Sequence, residues 1–178
     1  IGSGDDAGVT DVGADPSLYY SINLSGITAS ASYSRTGNGT DNSVAIVASE
    51  LAEGVEVGIG TGTNVISNTS EDDMLTAYGK YTTGAFTIGV QLSETDKTAA
   101  DSDITREAAA LSFAVNENLS ISYGISTVEY EASTKTDAES TGVSASYTMG
   151  GITLGAVSNK TDSFGGTAGS DKEFTEIK

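Results

Sequence analysis

Several residue types that carry common protein chemistry are missing from this chain of 178 residues. Cysteine is absent, which excludes a disulfide framework and a thiolate metal site. Histidine is absent too, so the chain lacks the most common general base and zinc ligand and has no Ser/His/Asp catalytic set. We therefore expect no enzymatic activity, no cofactor and no metal centre.

Basic residues are scarce. Lys and Arg number 8 against 25 Asp and Glu, which gives a formal net charge of -17. A chain this acidic repels phosphate backbones, so we expect no nucleic-acid partner. The acidic clusters Glu71-Asp72-Asp73 and Asp101-Ser102-Asp103 offer hard oxygen ligands but lack EF-hand spacing. Adventitious Ca²⁺ binding is the most that these clusters predict.

Long apolar runs are missing as well. No stretch approaches the roughly 20 residues that a transmembrane helix needs. Instead, apolar and small polar residues alternate from residue 17 to the end, with no helical pattern and only one proline in the chain. A transmembrane strand needs only about 9 to 11 residues, so this alternation is compatible with a membrane-spanning β-barrel.

Short turns and long polar segments divide the alternating region in a regular order. Short turns are predicted at Ser25-Gly26, residues 51–54, residues 82–85, residues 116–118 and Gly150-Gly151. Long polar loops are predicted at residues 36–42, 61–73, 94–105, 129–140 and 160–172. The result is about eleven strands whose short turns lie on one side and long loops on the other. That arrangement is typical of outer-membrane barrels, whose periplasmic turns are short and external loops long.

The two faces of the predicted sheet differ in character. Leu18, Tyr20 and Ile22 share an apolar face, whereas the opposite face carries mostly Ser, Thr, Gly, Ala and Asn. Small neutral residues suit a water-filled lumen, because a dry barrel core would need larger apolar side chains. The apolar face also has aromatic residues towards both ends, as the girdles of membrane barrels do. These are Tyr81, Phe86, Phe113 and Tyr147 near the short turns, and Tyr20 and Tyr33 nearer the long loops.

Alternation alone leaves other folds open. A soluble β-sandwich and a lipocalin-like barrel also alternate, and parity does not say which face is inside. A secreted, acidic β-rich adhesin with Ca²⁺-binding loops is a third alternative. An adhesin built of stacked coils should show a constant short repeat, and no constant period is found.

The hairpins at residues 18–33 and 142–155 resemble those of Gram-negative general porins, most closely the alphaproteobacterial type. The resemblance implies an all-β, antiparallel up-and-down transmembrane barrel of 16 strands. It also implies a homotrimer in the outer membrane, in contact with lipid and lipopolysaccharide. The third external loop of such a porin folds into the lumen as a constriction. The eleven strands would be the sixth to the sixteenth, and the acidic, Gly-rich residues 1–16 would be the end of the constriction loop.

An odd strand count does not close such a barrel, the chain has no initiator Met, and its last strand, residues 174–178, stops within the pattern. We therefore expect an internal piece of a longer reading frame. An open barrel would leave two unpaired edges in lipid, so this piece alone should not insert and conduct.

The function that the resemblance implies is passive diffusion of small hydrophilic solutes and ions, with a weak cation preference. By strand parity, the lumen residues are Tyr19, Asn23, Glu56, Tyr78, Lys80, Gln91 and Arg106. Asp5, Asp6, Asp11 and Asp15 would lie on or near the constriction loop. Lys80 and Arg106 are the candidates for the basic wall that faces an acidic constriction loop in family porins. Alternatively, Arg106 merely ends a strand.

Overall fold

The computed structural model describes residues 17–36, 39–67 and 69–178. They form one antiparallel sheet of eleven strands, each hydrogen-bonded to its neighbours in sequence. The strands are β1 (Ser17–Leu24), β2 (Ile27–Thr36), β3 (Gly39–Ala52), β4 (Val55–Ser67), β5 (Ser70–Thr83), β6 (Phe86–Lys97), β7 (Ile104–Ala114), β8 (Leu119–Tyr130), β9 (Ala138–Met149), β10 (Ile152–Asp162) and β11 (Lys172–Ile177). The predicted strand count and up-and-down order are confirmed. No helix in these residues is long and apolar enough to cross a membrane.

The five short turns lie where the sequence predicted them. Ser25 and Gly26 have φ angles of 49° and 79°, and Gly150 and Gly151 have φ angles of 57° and 85°. Two consecutive left-handed residues form the turn type whose twist matches the right-handed twist of the flanking strands. Residues 53–54, 84–85 and 115–118 make the other three short connections.

The long polar loops were predicted too long. β4 and β5 run out to Ser67 and Ser70, so most of residues 61–73 is strand. Side chains support this extension, because the Val65 backbone N–H donates to Asp41 Oδ1 (2.7 Å) and the Thr63 hydroxyl donates to Asp73 Oδ1 (2.6 Å). Side-chain hydrogen bonds between neighbouring strands therefore hold these polar segments in the sheet, without the alternating apolar residues that mark the other strands. The connections that remain are residues 98–103, 131–137 and 163–171, with a single 3-10 turn at Phe164–Gly166.

The sheet has almost no interior among its described residues. Ala138 is the one buried apolar side chain and Ser43 the one buried polar side chain. Along β6, Phe86, Ile88, Val90 and Leu92 are exposed while the residues between them are half-buried. The apolar side chains thus splay apart on one face, and the polar side chains shelter one another on the other. We call these the apolar face and the polar face.

Both outer strands of the described sheet pair on one side only. β1 pairs with β2 and β11 pairs with β10. The pairing of β10 and β11 continues to Lys178, which exchanges two backbone hydrogen bonds with Gly155 (2.8 and 2.9 Å). Two such unpaired edges are not stable in a bilayer without a partner strand.

Candidate channel wall

The apolar face carries a belt of large side chains that a soluble domain would bury. Most of the thirty-two exposed large apolar residues lie on this face, with relative exposures from 38% to 79%; among the exceptions, Tyr19 and Phe174 lie on the polar face and Phe164 lies in a connection. A monomeric soluble protein rarely exposes contiguous apolar surface on this scale. The belt ends towards the short turns in aromatic contacts: Phe86 and Phe113 stack at 4.5 Å between ring centroids, and the Tyr147 hydroxyl lies 3.7 Å from Met149 Sδ.

The belt does not follow the hydrogen-bonded rows of the sheet. The row that begins at Leu24, beside the first short turn, passes through Val57, Val90 and Ile125. The same row ends at Lys160 and Glu173, next to the connections on the opposite side. The apolar residues therefore shift steadily along the strands from β1 to β10.

The size of this shift gives the inclination of the strands. The middle of the belt lies near Ser21 on β1 and near Leu154 on β10, and the register separates these positions by about nine residues, or about 30 Å. The nine inter-strand spacings between them add to about 43 Å. The strands are therefore tilted by about 35° from the normal to the belt, within the range found in transmembrane barrels.

Pairs of hydroxyl groups line the polar face. Direct cross-strand partners bond to each other at Ser32–Ser43 (2.8 Å), Ser122–Ser144 (2.7 Å), Ser140–Thr161 (2.9 Å), Thr148–Thr153 (2.9 Å) and Thr76–Ser93 (3.1 Å). A hydroxyl both donates and accepts, so each pair satisfies part of its own hydrogen-bonding capacity and keeps lone pairs for water. The polar face is therefore a wettable wall of small side chains.

One cluster of larger side chains interrupts this wall. Lys80 Nζ lies 3.0 Å from Glu56 Oε1, and the Tyr78 hydroxyl donates to the same oxygen at 3.1 Å. Glu56 and Lys80 are direct partners across β4 and β5, and Tyr78 is the partner of Gly58. On β5 the belt runs from Leu75 to Tyr81 on the opposite face, so this mid-height cluster lies level with the middle of the belt.

The other predicted lumen residues also project from the polar face but are not all close together. Gln91 pairs with Tyr78 and donates to Ser93 (3.1 Å). Arg106 lies inside β7, donates to Thr95 (3.2 Å) and stands beyond the belt towards the long connections. Tyr19 and Asn23 lie on the outer strand β1. Asp5, Asp6, Asp11 and Asp15 fall outside the described residues, as does the constriction loop predicted at residues 1–16.

Charge is distributed unequally between the two faces. By register, the charged strand residues on the polar face are Lys80, Lys97, Arg106, Lys172, Asp41, Glu56, Asp72 and Glu176. The acids on the apolar face all lie beyond the belt, towards the long connections: Glu71, Asp73, Glu94, Asp96, Glu107, Glu129, Glu139, Asp162 and Glu173. The described wall is therefore nearly balanced in charge, although the chain is strongly acidic. Within the described residues, no group of three or more His, Cys, Asp or Glu side chains is arranged to hold a metal ion.

The connections at this end of the sheet are bonded to one another. The Thr98 backbone N–H and hydroxyl both donate to the Glu71 carbonyl, and the Thr98 hydroxyl accepts from the Glu71 backbone N–H. Asp103 and Glu131 are joined by hydrogen bonds of 3.0 and 3.2 Å. Lys135 donates to the Gly165 carbonyl (2.7 Å), and its ammonium lies 5.6 Å from the centroid of the Tyr130 ring. The rim is thus a structured edge of the wall.

An inclined, up-and-down antiparallel sheet with an apolar belt on one face and a wettable face on the other is the wall of a transmembrane β-barrel. The family described as Gram-negative porin matches residues 1–178, and the chain belongs to this family. Its location is therefore the outer membrane.

Solved structures agree with the fold. OmpT of Vibrio cholerae, an outer membrane protein, is 21% identical over 91% of this chain and 59% of its own, with a TM-score of 0.65. The loop L8 deletion mutant of the same protein is 21% identical over 90% of this chain and 60% of its own, with a TM-score of 0.68. The chain thus spans about 60% of the length of these neighbours. No curated protein matches.

Proposed function

We propose that this chain forms part of the wall of a water-filled channel for passive diffusion of small hydrophilic solutes and ions. The observation that carries the proposal is the polar face at belt height. Hydroxyl pairs cover this face. In its mid-height cluster the two charged side chains, Glu56 and Lys80, form an ion pair at 3.0 Å. Such a wall favours water and small solutes without binding any of them tightly, as passive conduction requires. The channel has no catalytic role in this proposal.

The finer proposal is a weak cation preference. The wall itself is nearly balanced, so it supplies little selectivity. The excess acids lie in the connections and on the rim, where they attract cations to the mouth. Salt should screen this attraction, because the Debye length falls from about 10 Å at 0.1 M to about 3 Å at 1 M. We therefore expect the preference to be larger at 0.1 M than at 1 M salt.

The remaining proposals concern assembly and lineage. The homotrimer, the contacts with lipopolysaccharide, the total of 16 strands and the alphaproteobacterial type rest on the style of the hairpins. The exposed belt supports a lipid environment and leaves apolar surface for contacts between copies. No observation on the described residues favours the adhesin alternative.

The test is single-channel conductance of the full-length gene product in planar bilayers, with a salt gradient to read the reversal potential. Discrete steps are expected, and steps in groups of three would support a trimer. A reversal potential of cation sign that shrinks as salt rises would support the acidic mouth.

Three results would contradict the proposal. An anion-selective reversal potential would overturn the cation preference. Silence from protein verified as folded and inserted would indicate a plugged barrel. Failure to partition into detergent would favour the secreted adhesin.

A further inference from the structure

The mid-height cluster depends on a glycine that belongs to no motif. Gly58 lies on the polar face of β4, directly opposite Tyr78 on β5. A Cβ added at Gly58 would lie 2.8 Å from Tyr78 Cζ and would be closer still to Cε1. Real Cβ atoms do not approach other atoms this closely. The tyrosine ring therefore rests directly on the Gly58 main chain.

The far end of the ring is also fixed to β4. The Tyr78 hydroxyl donates to Glu56 Oε1 at 3.1 Å, and Glu56 lies two residues before Gly58 on the same face. The ring thus extends from β5 across β4, over Gly58 and towards Glu56. It lies along the wall, and Tyr78 is half-buried as a result.

Side chains surround the ring on three sides. Thr76 and Lys80 flank Tyr78 on its own strand, and Gln91 lies opposite it on β6. The sheet backbone lies beneath. A Cβ at position 58 would lie beneath the ring and would push it away from the wall.

We propose that Gly58 is a positioning residue that sets the free width of the lumen at mid-height, by giving the Tyr78 ring a place to lie flat. This inference rests on the proposed channel function. A side chain at position 58 lifts the ring into the lumen and withdraws its hydroxyl from Glu56. The free width beside this part of the wall, and with it the size of solute that passes, therefore depends on a residue that has no side chain.

The test compares the unit conductance of Gly58→Ala with that of Gly124→Ala. Gly124 lies on the polar face of β8, and a Cβ added there meets only ordinary contacts, 3.6 Å to the Ala109 carbonyl oxygen and 3.7 Å to Ala110 Cβ. Gly58→Ala should lower the conductance and the cut-off size for polyethylene glycol, whereas Gly124→Ala should leave both at the wild-type value.

A second variant separates the ring from the backbone. Tyr78→Ala should raise the conductance, and the double variant Gly58→Ala/Tyr78→Ala should equal Tyr78→Ala because no ring remains to be displaced. If Gly58→Ala folds and conducts like the wild type, the inference is wrong. It is also wrong if the double variant retains the loss seen in Gly58→Ala.

A folding measurement keeps this inference separate from the proposed function. If the wild type is silent, the channel proposal fails, but the contact between Gly58 and Tyr78 can still be measured. The unfolding midpoints of the two single variants and the double variant in urea form a double-mutant cycle. Gly58→Ala should destabilise the wild type more than it destabilises Tyr78→Ala. Equal effects in the two backgrounds would exclude the ring contact.

Discussion

At the scale of single residues, Glu56 is the most informative side chain, because one carboxylate oxygen serves two partners. It accepts the Tyr78 hydroxyl at 3.1 Å and pairs with Lys80 at 3.0 Å. The side chains of Lys80 and Glu56 are 36% and 27% exposed, so both remain in contact with water. Their charges cancel for a distant ion but not for one that passes within a few ångströms.

Removing the Glu56 charge and removing the Lys80 charge should shift ion selectivity in opposite directions. Glu56→Gln leaves the Lys80 ammonium unpaired and should shift the reversal potential towards anions, and Lys80→Gln should shift it towards cations. Two unit charges about 4 Å apart in water interact by about 1 kcal/mol, which bounds the change in permeability ratio at a few-fold. The measurement is the reversal potential of each variant across a salt gradient.

Arg106→Gln is the matched control for Lys80→Gln. It removes the same charge from the same face but beyond the belt, where Arg106 donates to Thr95. Its effect on the reversal potential should be smaller. Shifts of one sign for Glu56→Gln and Lys80→Gln, or a larger effect of Arg106→Gln, would mean that permeating ions do not pass close to the charges of the mid-height cluster.

At the scale of elements, two turn glycines that look alike in the sequence differ in their surroundings. Gly54 and Gly84 both have positive φ angles, 74° and 54°. A Cβ at Gly84 would meet nothing within 4 Å, whereas a Cβ at Gly54 would overlap the carbonyl oxygen of Thr82. Gly54 also accepts a hydrogen bond from the Thr82 N–H (2.8 Å), so its turn is held against the end of β5.

Gly84→Ala should therefore cost only the left-handed conformation, about 1 to 2 kcal/mol. Gly54→Ala should cost more, because it also separates the turn from β5 and weakens the hydrogen bond from Thr82, worth about 1 kcal/mol. The measurement is the free energy of unfolding in urea. The folded fraction at each urea concentration is read on gels, where the folded barrel and the heated chain migrate differently. Equal costs for the two variants would show that the turn is not fixed to β5.

Much of the element structure could be predicted from the sequence. Period-2 alternation and turn residues located all five hairpins, because both signals are local. The extent of β3, β4 and β5 was predicted wrongly, because polar segments gave no alternation to read. Asp41 and Asp73 support those strands through hydrogen bonds to Val65 and Thr63, partners 24 and 10 residues away. Such pairing depends on register, which hydropathy does not reveal.

At the scale of the whole molecule, the sequence predicted the face of the sheet on which the candidate lumen residues of the described strands lie, but not their height. Lys80 and Arg106 have the same parity, yet Lys80 is level with the belt and Arg106 is beyond it. Height depends on the strand inclination, which adds about one residue of offset per strand across the sheet. The same offset places the acids of the apolar face at the rim. For Gly58, no local signal exists, because its role follows from its partner across the strand pair.

The inclination itself can be tested with single cysteines, because the chain has none of its own. Ile46 and Thr127 both lie on the apolar face and in one hydrogen-bonded row, which runs through Ile59, Ala77, Leu92 and Glu107. With strands tilted by about 35°, Ile46 lies within the belt and Thr127 beyond it. In lipid vesicles, a membrane-impermeant maleimide should modify Thr127→Cys quickly and Ile46→Cys slowly.

A neighbouring pair of positions calibrates the labelling. Ser126→Cys projects from the polar face and should react quickly, while Ile125→Cys on the apolar face should be protected by lipid. Equal protection of Ile46→Cys and Thr127→Cys would mean that the belt runs parallel to the rows and that the strands are not inclined. Because a barrel of this size closes only with inclined strands, that outcome would remove the geometric basis for the channel as well.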